Sequence, residues 1–158
     1  MIDDEPPAVP PRRSSAWLCT AHLLLHTISP GRSVPVPACL AYSADDPYTV
    51  YLDSHTDTET PVTWVLSREL LTAGTRRRTG AGAVSVYPGH DDTDSLYLRL
   101  ALHGGTAEGD TALLRVQASD MKAFLRWTEH IVPPGRESEY VDVDPLIRQL
   151  LDEDPEDD

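Results

Sequence analysis

The 158-residue chain has only two cysteines, Cys19 and Cys39. That is too few for the disulfide framework of a small secreted domain. Both stand in apolar, alternating runs, where a thiol acts as a small buried hydrophobe. No apolar run approaches the ~20 residues a membrane span needs. The first fifteen residues, MIDDEPPAVPPRRSS, carry acids and prolines where a secretion signal needs a basic start and an apolar stretch. A cytoplasmic protein is therefore the expectation. Lysine is almost missing: twelve of the thirteen basic residues are Arg.

Positive charge is also scarce, and the net charge is −13. Six acids sit in the last seven residues, DEDPEDD, and Asp3, Asp4 and Glu5 add three more. Residues 19–151 hold 17 acids and 11 bases, so the folded part is near −6. Such a surface has no long-range attraction for nucleic acid or anionic lipid. One domain is expected over residues 16–151, with residues 1–15 as a disordered Pro-rich arm and residues 152–158 as a disordered acidic tail.

Period-two alternation dominates what remains. In AWLCTAHLLLHT, Trp17, Cys19, Ala21, Leu23 and Leu25 face one way, and Leu18, Thr20, His22, Leu24 and His26 the other. After the SPGR turn, Val34 to Tyr42, Tyr48 to His55, and Val62, Trp64 and Leu66 read as three further strands. Ser67 is placed to cap a short helix that ends at Gly74. The layout then recurs. TRRRTGAG reads as a short strand and glycine turn, and strands follow at Ala83 to Tyr87, Leu96 to Leu102 and Ala112 to Val116. Ser119 is positioned to cap a longer helix whose Met121, Phe124, Leu125 and Thr128 form one stripe. Pro133-Pro134-Gly135 stops it, and Asp144-Pro145 opens a last helix. Consecutive strands with short loops predict antiparallel pairing. The expected fold is α+β: two four-stranded antiparallel sheets in a ββββα–ββββα(α) order, with the C-terminal helices packed on the sheet.

Chemistry is sparse. Cys19, His22 and His26 spell C-x2-H-x3-H, yet alternation sets Cys19 on the face opposite both His. The two His would stand ~13 Å apart along a strand, too far to share one ion. GHDDTD lacks the frame of a calcium loop. HGGTAEGD lacks the Lys and following helix of a phosphate loop. There is no G-x-S-x-G and no marked Cys–His pair. No metal, no cofactor and no enzymatic activity are expected. The Arg76-Arg77-Arg78 cluster reads as exposed bases beside a turn.

Five blocks together carry a resemblance. They are SVPVPACLAYSADDPYTVYL, VTWVLSRELLTAG, RRRTGAGAVSVYPG, MKAFLRWTEHIVPPG and VDVDPLIRQLL. In this order and spacing they resemble the SsgA-like sporulation and cell-division regulators of mycelial actinobacteria, over nearly the whole of residues 19–151. Three positions depart from the family pattern: Cys39 stands in place of Gly, Ala83 in place of an acid, and Tyr87 in place of Trp. The resemblance implies a non-enzymatic adaptor for sporulation-specific division that recruits the tubulin-like FtsZ, selects septum sites or remodels the wall. It also implies a whirly-like fold, a homotrimer, other SsgA-like members as partners, and a place at division septa.

Binding tends to use loops and caps. The candidate partner-binding residues are accordingly Asp45, Asp46, Pro47, Arg68, Glu69, Pro133, Pro134 and Gly135. The alternative reading, a single-stranded nucleic-acid module, would use Arg76, Arg77, Arg78 and Tyr87.

Overall fold

A computed structural model describes residues 19–54, 62–90, 93–101, 111–141 and 144–152. The expected arm, the TDTETP and HGGTAEGD loops and the tail from residue 153 lie outside these. In chain order the elements are β1 (Cys19–Ser29), β2 (Arg32–Tyr42), β3 (Thr49–Ser54), β4 (Val62–Ser67), α1 (Arg68–Gly74), β5 (Val84–Pro88), β6 (Ser95–Ala101), β7 (Thr111–Gln117), α2 (Ala118–Ile131), a 3-10 turn (Glu137–Glu139) and α3 (Asp144–Asp152).

The strands form one seven-stranded antiparallel sheet in the order β4-β3-β2-β1-β7-β6-β5. This overturns the expectation of two four-stranded sheets. The two halves fuse where β1 meets β7, at His26↔Arg115 and Thr27↔Leu114. Left apart, each half would expose the unpaired backbone groups of a long edge strand. The eighth strand expected in TRRRTGAG is only an isolated bridge, Thr79↔Val86. Gly80 ends it: its φ is +95°, and a Cβ there would stand 2.4 Å from the Val84 carbonyl oxygen.

Alternation gives the sheet two unlike faces. Leu25, Val36, Leu40, Leu52, Leu66, Leu98, Leu114 and Val116 point into the core. Phe124, Leu125 and Met121 of α2 and Leu71 of α1 pack into the same core. The opposite face carries His22, His26, Tyr51, Tyr97 and Arg115. Pro35 and Pro37 lie in the half of β2 that precedes its pairing with β3, which begins at Ala38. There a missing N–H removes no ladder bond among the described residues.

Helix boundaries have local causes. The Ser67 hydroxyl accepts from the Leu70 N–H at 3.2 Å, as its sequence position predicts. Ser119 does not cap α2. Asp94 does, its carboxylate accepting from the Ser119 backbone N–H at 3.1 Å and from the Ser119 hydroxyl. Of the C-terminal helices, α2 packs on β1 and β7. By contrast, α3 presents Ile147, Leu150 and Leu151 to solvent, so the expectation that it covers the sheet is also corrected.

Candidate functional site

The site is built around Arg68, which an isolated reading would place on a helix surface. It is the first residue of α1, yet it is only 4% exposed. Its backbone N–H donates to the Tyr48 carbonyl at 2.9 Å, tying α1 to the loop before β3. Its guanidinium extends under the end of α2. There Nη1 donates to the carbonyls of Thr128 at 3.1 Å and Val132 at 2.8 Å. The Thr128 carbonyl also accepts the Val132 N–H at 2.9 Å, so Arg68 is a second donor there and satisfies the carbonyl of Val132, which follows the last turn. Its positive charge also meets the negative end of the helix dipole.

Nη2 donates to Glu137 Oε1 at 2.6 Å. This bond holds the Glu137 carboxyl below its ordinary pKa. The guanidinium also lies 5.1 Å from the centre of the Tyr42 ring. Tyr42 is fully buried and donates its O–H to the Pro47 carbonyl at 2.8 Å. Burial pushes its pKa up to about 12, against the opposing pull of Arg68.

The sequence-predicted residues thus converge on one frame. Asp45, Asp46 and Pro47 form the turn between β2 and β3. Asp45 N–H donates to Ser43 Oγ, Asp46 N–H to the Ser43 carbonyl, and Asp46 Oδ2 accepts from the Tyr51 hydroxyl at 2.7 Å. Pro133, Pro134 and Gly135 form the turn that carries the chain from α2 to Glu137. The Arg136 N–H donates to the Pro133 carbonyl, and Gly135 has φ +84° with open space around its Cα. Arg68 bridges both turns. Glu69 stands exposed on the first turn of α1. Of these residues Pro47 and Arg68 are buried, so they position the surface, while Asp45, Glu69, Pro134 and Gly135 are exposed on it.

Sequence reasoning missed the aromatic part of the rim. Tyr48 is 53% exposed and Tyr140 is 40% exposed, with Val141 beside it in sequence. Large exposed aromatics next to structured turns are what interface hot spots are made of. The Tyr of the DDPY block was available as a signal but read only as part of a strand. The resulting surface is aromatic and acidic, with Asp45, Glu69, Glu137 and Glu139 around it. The exposed base in the turn, Arg136, is paired with Glu139 at 2.8 Å.

The alternative residues lie elsewhere. Arg76 and Arg77 follow α1 in a turn, both donating backbone N–H to the Ala73 carbonyl. Arg78 sits 4.7 Å from the Tyr87 ring centre, and Tyr87 stacks on Tyr97 with centroids 5.5 Å apart. In the strand row Arg78 and Tyr97 flank Tyr87 on opposite sides. Tyr87 therefore offers no free face on which a base could stack. Of the C-x2-H-x3-H run, Cys19 lies on the core side and both His on the other. His22 is instead opposite Cys39, which is opposite Asp53. Among the described residues no group of three His, Cys, Asp or Glu is arranged to hold a metal ion.

Comparison with known proteins gives one family. Residues 36–137 match the family described as "Streptomyces sporulation and cell division protein, SsgA". The chain is 39% identical over 148 residues to the sporulation-specific cell division protein SsgB of Kineococcus radiotolerans, covering 92% of this chain and 85% of that one. It is 39% identical over 135 residues to SsgB of Streptomyces coelicolor, covering 85% and 95%. Its fold is similar to the crystal structure of an SsgA-like sporulation-specific cell division protein from Thermobifida fusca, with TM-score 0.73, 35% identity, and coverage of 87% and 98%. A solved structure described under "Mutations in SsgB correlate to longitudinal cell division during sporulation of Streptomyces coelicolor" gives TM-score 0.69 at 35% identity, covering 77% and 94%. The chain belongs to the SsgA family of sporulation and cell division proteins.

Proposed function

We propose that this chain is a non-enzymatic adaptor of sporulation-specific cell division. It recruits or activates division machinery through the surface framed by Arg68. The process follows from its relatives, which are sporulation-specific cell division proteins. The observation that supports an adaptor is the burial of Arg68 between α1, α2 and the Glu137 turn. That arrangement fixes three separate chain segments so that Asp45, Tyr48, Glu69 and Tyr140 are held out on one frame. Preorganised aromatics lose little entropy on binding.

The proposed partners are FtsZ and other SsgA-like members, met through a basic or mixed-charge segment that complements the acidic rim. The chain is proposed to act as a homo-oligomer, a homotrimer in the first instance, at division septa. No helix among the described residues is long and apolar enough to cross a membrane.

The test is binding of purified FtsZ to the full chain by biolayer interferometry. Tyr48→Ala and the Asp45→Arg exchange should each weaken binding about tenfold without lowering Tm, whereas Arg126→Ala on the exposed side of α2 should not. Unchanged binding in both surface variants would remove this face from the proposal. Light scattering on the same samples reads the oligomeric state.

A further inference from the structure

The face of the sheet away from the core carries a second, oppositely charged feature. Residues 75–90, 95–101 and 111–117, which include β5, β6 and β7, contain Arg76, Arg77, Arg78, Arg99 and Arg115 and no acid. This holds in a chain of net charge −13. Strand register then sorts these bases. Tyr87 is opposite Tyr97, Tyr97 opposite Arg115, and Arg115 opposite His26. The Thr79↔Val86 bridge extends the row by setting Arg78 beside Tyr87, where its guanidinium covers the ring at 4.7 Å. One row thus runs Arg78, Tyr87, Tyr97, Arg115, His26 across the sheet.

At the Arg115 end the row opens into a cleft of about 470 Å³, whose lining includes Leu24, His26, Ser95 and Arg115 and the two carboxylates Asp94 and Asp120. The cleft exists because β1 and β7 share only two residue pairs before α2 begins. Arg115 and His26 are both half-buried. Among the described residues neither side chain has a hydrogen bond or an ion pair; Arg68 and Arg136 are the two bases paired with carboxylates. Asp94, the nearest capping carboxylate, is already engaged by Ser119. A partly desolvated cation that no described carboxylate approaches to ion-pair distance can take an anion.

We propose that this row is a docking site for an extended acidic peptide of a partner protein, with the pattern acid–x–apolar–x–acid. Neighbouring strands are ~4.8 Å apart, so Arg78 and Arg115, three steps apart, are separated by ~14 Å. In an extended chain residues i and i+4 are separated by nearly the same ~13–14 Å, and residue i+2 falls midway. The two end carboxylates meet Arg78 and Arg115, and the central side chain rests on the edges of the stacked Tyr87 and Tyr97 rings. His26 adds an N–H donor beside Arg115. Asp94 and Asp120, which also line the cleft, disfavour a third acid beyond that end.

Single-stranded nucleic acid has a similar repeat but fits less well. Both faces of the Tyr87 ring are covered, one by Arg78 and one by Tyr97, and the same stack covers one face of Tyr97. A phosphate at every step would also meet the overall negative field. This surface is separate from the one framed by Arg68, so the two can fail independently.

The test is fluorescence anisotropy with the full chain at ~0.15 M salt, a regime where exposed charges beyond ~8 Å are screened. The probe is a fluorescein-labelled synthetic peptide with Glu, Phe and Glu at alternate positions between Gly-Ser flanks. The control peptide has both Glu replaced by Gln. The expected result is saturable binding of the Glu peptide at least tenfold tighter than the Gln peptide. Arg115→Gln and Arg78→Gln should each weaken it about tenfold, and Arg76→Gln, off the row, should leave it unchanged. Equal binding of the two peptides, equal loss with Arg76→Gln, or tighter binding of an oligothymidylate of matching length would overturn the proposal. Arg78 and Arg115 act from different strands, so a folding defect in one variant leaves the other as a test.

Discussion

Arg68 at the start of α1 and Glu137 in the turn after α2 meet at 2.6 Å, although they are 69 residues apart in sequence. The same guanidinium serves the carbonyls of Thr128 and Val132 and lies over Tyr42. Replacing it with Leu would leave the buried Val132 carbonyl and the Glu137 carboxylate without this donor, and the Thr128 carbonyl with only the Val132 N–H. The expected loss is about 3 kcal/mol or more in urea unfolding. Arg68→Lys keeps the charge but offers a single ammonium where a fork served three acceptors, so it should recover less than half of that loss. A loss under about 1 kcal/mol for Arg68→Leu would mean that the clamp contributes little to stability.

The same bond sets an acid dependence. Arg68 holds the Glu137 carboxyl below its ordinary 4.5 in the folded chain. The unfolded chain therefore takes up this proton first as pH falls. The stabilisation is complete above about 4.5 and is lost as pH drops towards the lower, folded value. Glu137 is partly exposed, with an 18% accessible side chain, so solvent screening keeps the effect modest. Urea midpoints of wild type and Glu137→Gln should differ at neutral pH and converge as the pH falls below 4.5 and through the lowered folded value. A constant difference across that range would detach the ion pair from the acid limb.

Leu24 and Leu25 test the two faces of the sheet. Leu25 has no exposed surface, whereas Leu24 is 51% exposed. Leu25→Ala should cost about 3 kcal/mol by the usual cavity effect. Leu24→Ala should stay within ~0.5 kcal/mol. Similar losses at both would mean that a partner or another copy covers the outer face in solution.

That contrast was legible in the sequence because alternation is a local property. The strict period of residues 19–28 and 95–101 fixes which side chains share a face before any partner strand is known. The Ser67 cap and the Met121, Phe124, Leu125, Thr128 stripe are local in the same sense. The joining of β1 to β7 is not, since it rests on two residue pairs separated by almost ninety positions. Two separate sheets and one fused sheet predict the same alternation, and only the satisfaction of the edge strands separates them. Arg68 shows the same limit at the site. An Arg followed by Glu69 in a first helical turn reads as surface, because its acceptors lie sixty and more residues away. The turns Asp45-Asp46-Pro47 and Pro133-Pro134-Gly135 were readable as turns, but their convergence on one side chain was not.

Gly74 supplies the sharpest test of how α1 is seated. It ends α1, and sequence reasoning assigned it that role alone. Its backbone does not need a positive φ, because a C-cap in ordinary helical conformation follows at Thr75. The constraint is contact: a Cβ at residue 74 would lie 2.3 Å from Val86 Cγ1 and 3.2 Å from the Val86 carbonyl oxygen. Gly74→Ala must therefore push α1 away from β5, at an expected cost of about 1–3 kcal/mol despite the better helix propensity of Ala. Val86→Ala removes the obstructing methyls and should itself cost about 1–2 kcal/mol, since Val86 is fully buried. The double variant should then lose less than the sum, with a coupling of at least ~0.5 kcal/mol. Additive losses in a double-mutant cycle would show that the approach of α1 to β5 is looser than these distances require. The Thr79↔Val86 bridge would then be unaffected by the new methyl.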